Sequence, residues 1–192
     1  MLVDSTKPFD NHHVLPRGLL REPIKNIRKA DYVFLTKSNG GNHIRHLKRF
    51  VEHHNRNAEI IECRHKPKYL EDVFNKENRQ PLSILEGKKI ATICAIANPR
   101  SYEDSLLKYG AELVYTKSFA DHHSYEQQEV IDFLNDAKKA GASMILTTEK
   151  DAVRFPRLTR RDVPVFFLRI EIDIISGHEN FEQCISRICF LQ

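Results

Sequence analysis

The sequence predicts an α/β fold in which a mostly parallel sheet is flanked by helices, and three observations carry that expectation. Short apolar runs alternate along the chain with amphipathic runs of helical period, the pattern of strand–helix–strand units. The middle strand candidates, Ile90 to Ala97 above all, are nearly continuously apolar, as expected of strands covered on both faces. Capping and turn residues mark the ends of the helical runs. At 192 residues the chain is long enough to bury one domain, or one domain with a small appendage.

Taken in order, Leu2-Val3 is the first strand candidate. Its apolar run ending in Asp4 has the character of an interior strand, so either the domain starts abruptly or its sheet continues in residues outside this chain. Asp31 to Thr36 follows as a strand. Asn42 then caps a helix running to about His54, with Ile44, Leu47 and Val51 on one face. Ala58 to Cys63 is the next strand. Tyr69 to Gly87 is polar and weakly periodic, and reads as a loop with one short helix between two lobes. After the strand at Ile90 to Ala97, Ser101 with Asp104 opens a short helix that Gly110 closes. Glu112 to Thr116 is a strand. Ser124 with Gln127 forms a capping-box pattern, and Val130, Ile131, Leu134 and Ala137 line one face until Gly141. Ser143 to Thr147 and Val163 to Ile172 complete the strands. A last helix starts at Asn180 and buries Phe181, Cys184, Ile185 and Ile188.

Composition narrows the function classes without choosing among them. A hydrophobic share of 41% with 29% charged residues is that of an ordinary globular protein. The net charge of +4 fits attraction to phosphates or an anionic membrane surface, and equally a mixed solvated surface. Met1 to Asn11 has no apolar run behind a basic end, which argues against a secretory signal. The longest apolar run, Ile90 to Ile96, is too short to cross a bilayer. The four cysteines form no Cys-x-x-Cys pair and read as reduced core thiols of a cytosolic protein.

Three polar clusters occupy places where ligands bind in open α/β sheets, beyond the carboxyl ends of strands or in a stiff loop. Arg17 and Arg21 flank Gly18 between Pro16 and Pro23, and can present guanidinium groups to phosphate or carboxylate. The same loop is also readable as a surface turn with Arg21 salt-bridged to Glu22 or another acid. Asp121-His122-His123 follows a strand, and an acid beside an imidazole is a plausible acid–base element or metal ligand set. Thr147 to Ala152 could contact a nucleotide, but Thr, Glu and Asp there can equally satisfy exposed backbone donors, and the structural role is the favoured one.

Together and in this order, these segments resemble the C-terminal part of the tetraacyldisaccharide 4'-kinase (lipid A 4'-kinase) family. The matching stretches are Leu2-Val3-Asp4, Leu15-Pro16-Arg17-Gly18 with Leu20-Arg21-Glu22-Pro23, Ala97-Asn98-Pro99, Phe119 to His123 with Tyr125, and Thr147 to Val153. Ala95 stands where the family often has glycine, and Ala120 where it often has proline. The resemblance implies a P-loop kinase-like α/β/α architecture, with residues 1–30 ending the catalytic lobe and 31–192 forming a C-terminal α/β/α region. It implies ATP-dependent phosphorylation of a lipid A disaccharide precursor in Gram-negative bacteria, with Mg²⁺, by a cytoplasmic protein at the inner face of the inner membrane. Peripheral membrane contact is expected, and nucleic acid is not. The family pairs an Asp base with a His, which the resemblance assigns to His122 with Asp121 as its neighbour. Arg17 and Arg21 would bind substrate.

No Gly-x-x-x-x-Gly-Lys-Ser/Thr occurs, and Gly40-Gly41 is followed by Asn42-His43. ATP and Mg²⁺ are therefore expected to be held mainly by an N-terminal lobe, together with the Asp base, and the chain alone to be a poor kinase. Two other readings compete: a metal-dependent phosphoesterase built on Asp121-His122-His123 with Asp4, and a non-catalytic fragment.

Overall fold

A computed structural model describes residues 1–9, 11–158 and 162–190. In chain order its strands and helices are β1 (Leu2–Asp4), β2 (Tyr32–Thr36), α1 (Asn42–His54), β3 (Glu59–Asp72), β4 (Arg79–Gln80), β5 (Lys89–Cys94), α2 (Pro99–Leu107), β6 (Glu112–Ser118), α3 (Gln127–Lys139), β7 (Met144–Thr148), α4 (Glu149–Ala152), β8 (Val165–Ser176) and α5 (His178–Phe190). They form two compact units, Met1–Lys66 with Glu171–Gln192, and Pro67–Ile170.

In the first unit β1, β2 and β3 are parallel, with Val3 opposite Leu35 and Phe34 opposite Ile61. Ile44, Leu47 and Val51 recur at helical spacing, so α1 turns one apolar face onto Val3, Val33, Leu35 and Ile27. Asn55 ties the helix end to the short 3-10 turn at Ile24–Lys29, donating from its amide to the carbonyls of Ile27 and Ala30. The cap of α1 is Gly41 rather than Asn42. β3 continues to Asp72 instead of stopping at Cys63. The extension is too polar for its periodicity to show; pairing holds it extended, with Arg64 bound to Asp173 at 2.8 Å and Glu62 near Ser176 on β8. Those two contacts also show that β3 and β8 run in opposite directions here. α5 starts at His178, two residues before the expected Asn180, because Gly177 turns the chain with φ +81° where a Cβ would strike the carbonyl of Ile60. It buries Cys184, but Ile185 and Ile188 are exposed, contrary to expectation.

The second unit explains the continuous apolar runs. β5 lies between β6 and β7, β7 pairs with β8, and all of these contacts are parallel. Alternate residues of β5 and β7 serve two cores. Ala91, Ile93 and Ile145 pack with Val130, Phe133 and Leu134 of α3. Ile90, Met144 and Leu146 pack on the opposite face with Tyr102 and Leu106 of α2. Each fully buried side chain of this size contributes about 1.5–3 kcal/mol. α2 is capped by Asn98, whose Oδ1 accepts from the Ser101 amide at 3.2 Å, with Pro99 opening the first turn. It therefore begins before Ser101. The α3 cap is Glu126, whose amide donates to Glu129, and not Ser124. Ser124 is kept out of the helix because Tyr125 is buried against Phe119 and Phe155. The stretch from Tyr69 to Gly87 is more ordered than a loop: it holds the end of β3, the antiparallel partner β4, and a 3-10 turn at Leu82–Leu85.

Candidate functional site

The second unit brings together the loops after β5, β6 and β7, and the residue that joins them is Asp151. Its carboxylate is 0% exposed. One oxygen accepts from the Ala95 amide at 3.2 Å and the Thr148 hydroxyl at 2.6 Å; the other accepts from Arg154 at 2.5 Å. Thr148 also caps α4, taking the Asp151 amide on its hydroxyl. Arg154 completes the junction by donating to the carbonyls of Ala95 at 3.3 Å and His123 at 2.9 Å. A buried charge needs such paired and hydrogen-bonded surroundings. The negative charge is felt nearby. Burial first, then the Asp151 charge, raises the Tyr125 phenol. Burial likewise pushes the Cys94 thiol up to about 11, against the lowering contact with Ser118.

On this junction sits the Asp-His-His turn. The His122 amide donates to the Ala95 carbonyl at 3.2 Å, and the His123 amide to the Ala120 carbonyl at 3.0 Å. His122 adopts the left-handed region with φ +64°, which costs a non-glycine residue energy and is kept only where surrounding bonds impose it. The turn points its side chain outward: His122 is 81% exposed, with Nε2 3.8 Å from Asp121. That separation allows charge attraction but is too long for a hydrogen bond. His123 points the other way. Its ring stacks on Phe119 at 4.5 Å and its Nε2 bonds Glu129 at 2.8 Å, which makes it a packing residue of the turn.

The arginine loop belongs to the first unit. The Leu15 amide donates to Leu20 at 3.1 Å, Gly18 to Val14 at 3.0 Å and Leu20 to His13 at 3.2 Å, and the Leu15–Pro16 peptide is cis. Only glycine fits at position 18, because a Cβ there would overlap the His13 carbonyl and the Asn11 side chain. Arg17 and Arg21 are exposed on this stiff loop. The salt bridge of Arg21 to Glu22 or another acid, expected by one reading, does not form among the described residues; Glu22 accepts from Asn26 at 3.0 Å instead. Asp4, at the end of β1, is held by Lys37 at 2.5 Å and by Thr6. Burial raises its pKa, but these bonds outweigh burial and bring it below the usual carboxylate value.

Thus Asp121 and His122 lie on one unit, Arg17 and Arg21 on the other. The sequence reading stopped at Val153 and missed Arg154; the signal was available, since an Asp and an Arg three apart on a helical turn face each other. The core-thiol expectation holds for Cys63, Cys94 and Cys184, whereas Cys189 is exposed. The residues present do not fit a nucleotide–Mg²⁺ cradle. Gly40 and Gly41 lead into α1 without the P-loop lysine, and among the described residues no group of three or more His, Cys, Asp or Glu could hold a metal. No described helix is long and apolar enough to cross a membrane.

Known proteins share this fold. In the solved structure of LpxK from Aquifex aeolicus in complex with ATP, the same fold is found with a TM-score of 0.62, at 20% identity over 98% of this chain and 51% of that one. The tetraacyldisaccharide 4'-kinase of Halothermothrix orenii is 30% identical over 97% of this chain and 52% of its own length. That of Desulfatibacillum aliphaticivorans is 33% identical over 90% of this chain and 47% of its own. The chain therefore spans about half the length of these relatives. The family model of tetraacyldisaccharide-1-P 4'-kinase (LpxK) matches residues 1–189, and the chain belongs to that family.

Proposed function

We propose that this chain supplies the C-terminal portion of an ATP-dependent kinase that phosphorylates the 4' position of a tetraacyldisaccharide 1-phosphate in lipid A biosynthesis. The observation that carries the reading is the outward-facing His122, fixed in a left-handed turn by the Ala95 carbonyl and the Asp151–Arg154 junction beneath it. A catalytic imidazole must be reachable and its backbone well placed; the His122 ring is exposed and its amide is held by the Ala95 carbonyl. Arg17 and Arg21 are the substrate-binding candidates, because exposed guanidinium groups on a rigid loop are pre-organised for phosphate oxygens. Residues 1–30 would end the catalytic lobe and 31–192 form the C-terminal region. ATP and Mg²⁺ would be supplied with a P-loop-bearing lobe, and they neutralise and position the transferred phosphate when bound. The work would take place at the cytoplasmic face of the inner membrane through peripheral contact.

In this mechanism His122 takes or shares the proton leaving the sugar hydroxyl, together with the carboxylate base implied by the family, with Asp121 as its neighbour. Assistance of this type is worth about 10²–10⁴-fold. His122→Ala, made in the chain joined to a P-loop-bearing lobe, should lower kcat at least about tenfold while KM for ATP barely moves. His123→Ala should cost less, since its ring is spent on Phe119 and Glu129. Small and equal effects at both positions would remove this turn from the chemistry. The phosphoesterase alternative lacks support, because Asp4 is already committed to Lys37 and Thr6.

A further inference from the structure

The turn that presents His122 is tied on its downstream side to α3, through a carboxylate that the proton transfer itself does not use. Glu129 stands in the first turn of α3, and its Oε2 takes two bonds: from the Glu126 amide at 3.0 Å, and with His123 Nε2 at 2.8 Å. The Glu126 amide first, then His123, hold the Glu129 carboxyl below its usual 4.5, so it is ionised near neutrality. An ionised carboxylate only accepts, and Nε2 of His123 therefore carries the proton of this bond. The bond to Glu126 closes the capping box of α3. The bond to His123 leaves the helix and reaches back into the turn.

Helix α3 is a firm base for such a tie, because Val130, Phe133 and Leu134 are buried on its core face. The His123 ring also stacks on Phe119, with centroids 4.5 Å apart and planes 12° apart, and the His123 carbonyl accepts from Arg154 at 2.9 Å. His122 thus lies between this anchored residue and the bond of its own amide to the Ala95 carbonyl at 3.2 Å. Its φ of +64° is kept only where bonds on both sides impose it. Capping α3 needs the Glu126 amide alone, so the second bond of Glu129 is left to serve the turn.

We propose that Glu129 is a positioning residue for His122: by holding the His123 ring it fixes the turn, and with it the direction in which the His122 imidazole is presented. The catalytic part of this role rests on the reading of His122 as the acid–base group.

Amide hydrogen exchange on the 192-residue chain tests the tie without any activity. Glu129→Ala should speed exchange of the His122 amide about tenfold relative to that of Ile145 in the core of β7. Glu129→Gln, whose carbonyl oxygen can accept both bonds, should stay near the parent rate. His123→Phe keeps a ring on Phe119 and loses the bond, so it should match Glu129→Ala. In the chain joined to a P-loop-bearing lobe, Glu129→Ala should lower kcat about three- to tenfold while KM for ATP barely moves, and Glu129→Gln should restore it. In a His122→Ala background the same Glu129→Ala should change kcat less than about twofold. Unchanged relative exchange at His122 in Glu129→Ala would overturn the tie. A kcat loss of equal size with and without His122 would make Glu129 a capping residue only. If His122→Ala leaves kcat intact, His122 is not the acid–base group and Glu129 has no catalytic role, while the exchange rates still decide whether it holds the turn.

Discussion

Replacing Asp151 with alanine should be among the most damaging single changes in the second unit, and its size follows from the bonds it breaks. Three donors lose their acceptor at once: the Ala95 amide, the Thr148 hydroxyl and the Arg154 guanidinium. Removing one member of a buried ion pair costs about 3–5 kcal/mol, because the other charge is left uncompensated. Here the lower end applies. Arg154 keeps the carbonyls of Ala95 and His123, and its side chain is 22% exposed, so water relieves part of the loss. A destabilisation of about 3 kcal/mol corresponds to a melting temperature lower by about 6–12 °C in a chain of this size. Asp151→Asn should cost less but not nothing: whichever way the amide is turned, its NH₂ faces either Arg154 or the Ala95 amide. Urea unfolding followed by circular dichroism measures both variants, with the midpoint shifting at constant slope. A change below about 1 kcal/mol for Asp151→Ala would refute the account of this residue as the junction of three loops.

Three further outcomes follow from other parts of the molecule. Arg21→Ala, in the chain joined to a P-loop-bearing lobe, should reduce turnover while shifting stability by no more than about 0.5 kcal/mol, since the exposed guanidinium has no ion-pair partner among the described residues; lost stability with intact turnover would make it a structural residue. Glu62 tests the pH dependence: burial raises its pKa, but Lys48 at 2.6 Å with Ser38 and Ser176 outweighs burial and holds the carboxylate below its usual 4.5. Its stabilising effect is thus present above that value and lost as pH falls through the lower folded-state value, so Glu62→Gln should flatten the acid limb of the stability curve; an unchanged limb would show the pair to be without effect. Ellman's reagent on the native chain should react quickly with Cys189 alone, because Cys63, Cys94 and Cys184 are buried; fast reaction of two or more thiols would contradict that packing.

The sequence by itself determined the alternation of strands and helices and the assignment to a kinase family. Those properties reside in local patterns: the apolar runs of β5 and β7, the helical spacing of Ile44, Leu47 and Val51, and motifs read in chain order. Capping was legible only to within two or three residues, since Tyr125 prefers the core of its unit and thereby moves the α3 cap from Ser124 to Glu126. What tertiary structure decided was the length of β3 and the division of labour within Asp121-His122-His123. β3 extends through charged residues because β8 supplies bonds from about a hundred positions away in the chain. The two histidines are equivalent as letters, but Phe119 and Glu129 claim His123, and the Ala95 carbonyl turns His122 outward. Arg154, unremarkable in the sequence, holds that turn through two carbonyls. Such roles depend on which backbone carbonyls lie within about 3 Å of a donor, and no periodicity or motif encodes that distance.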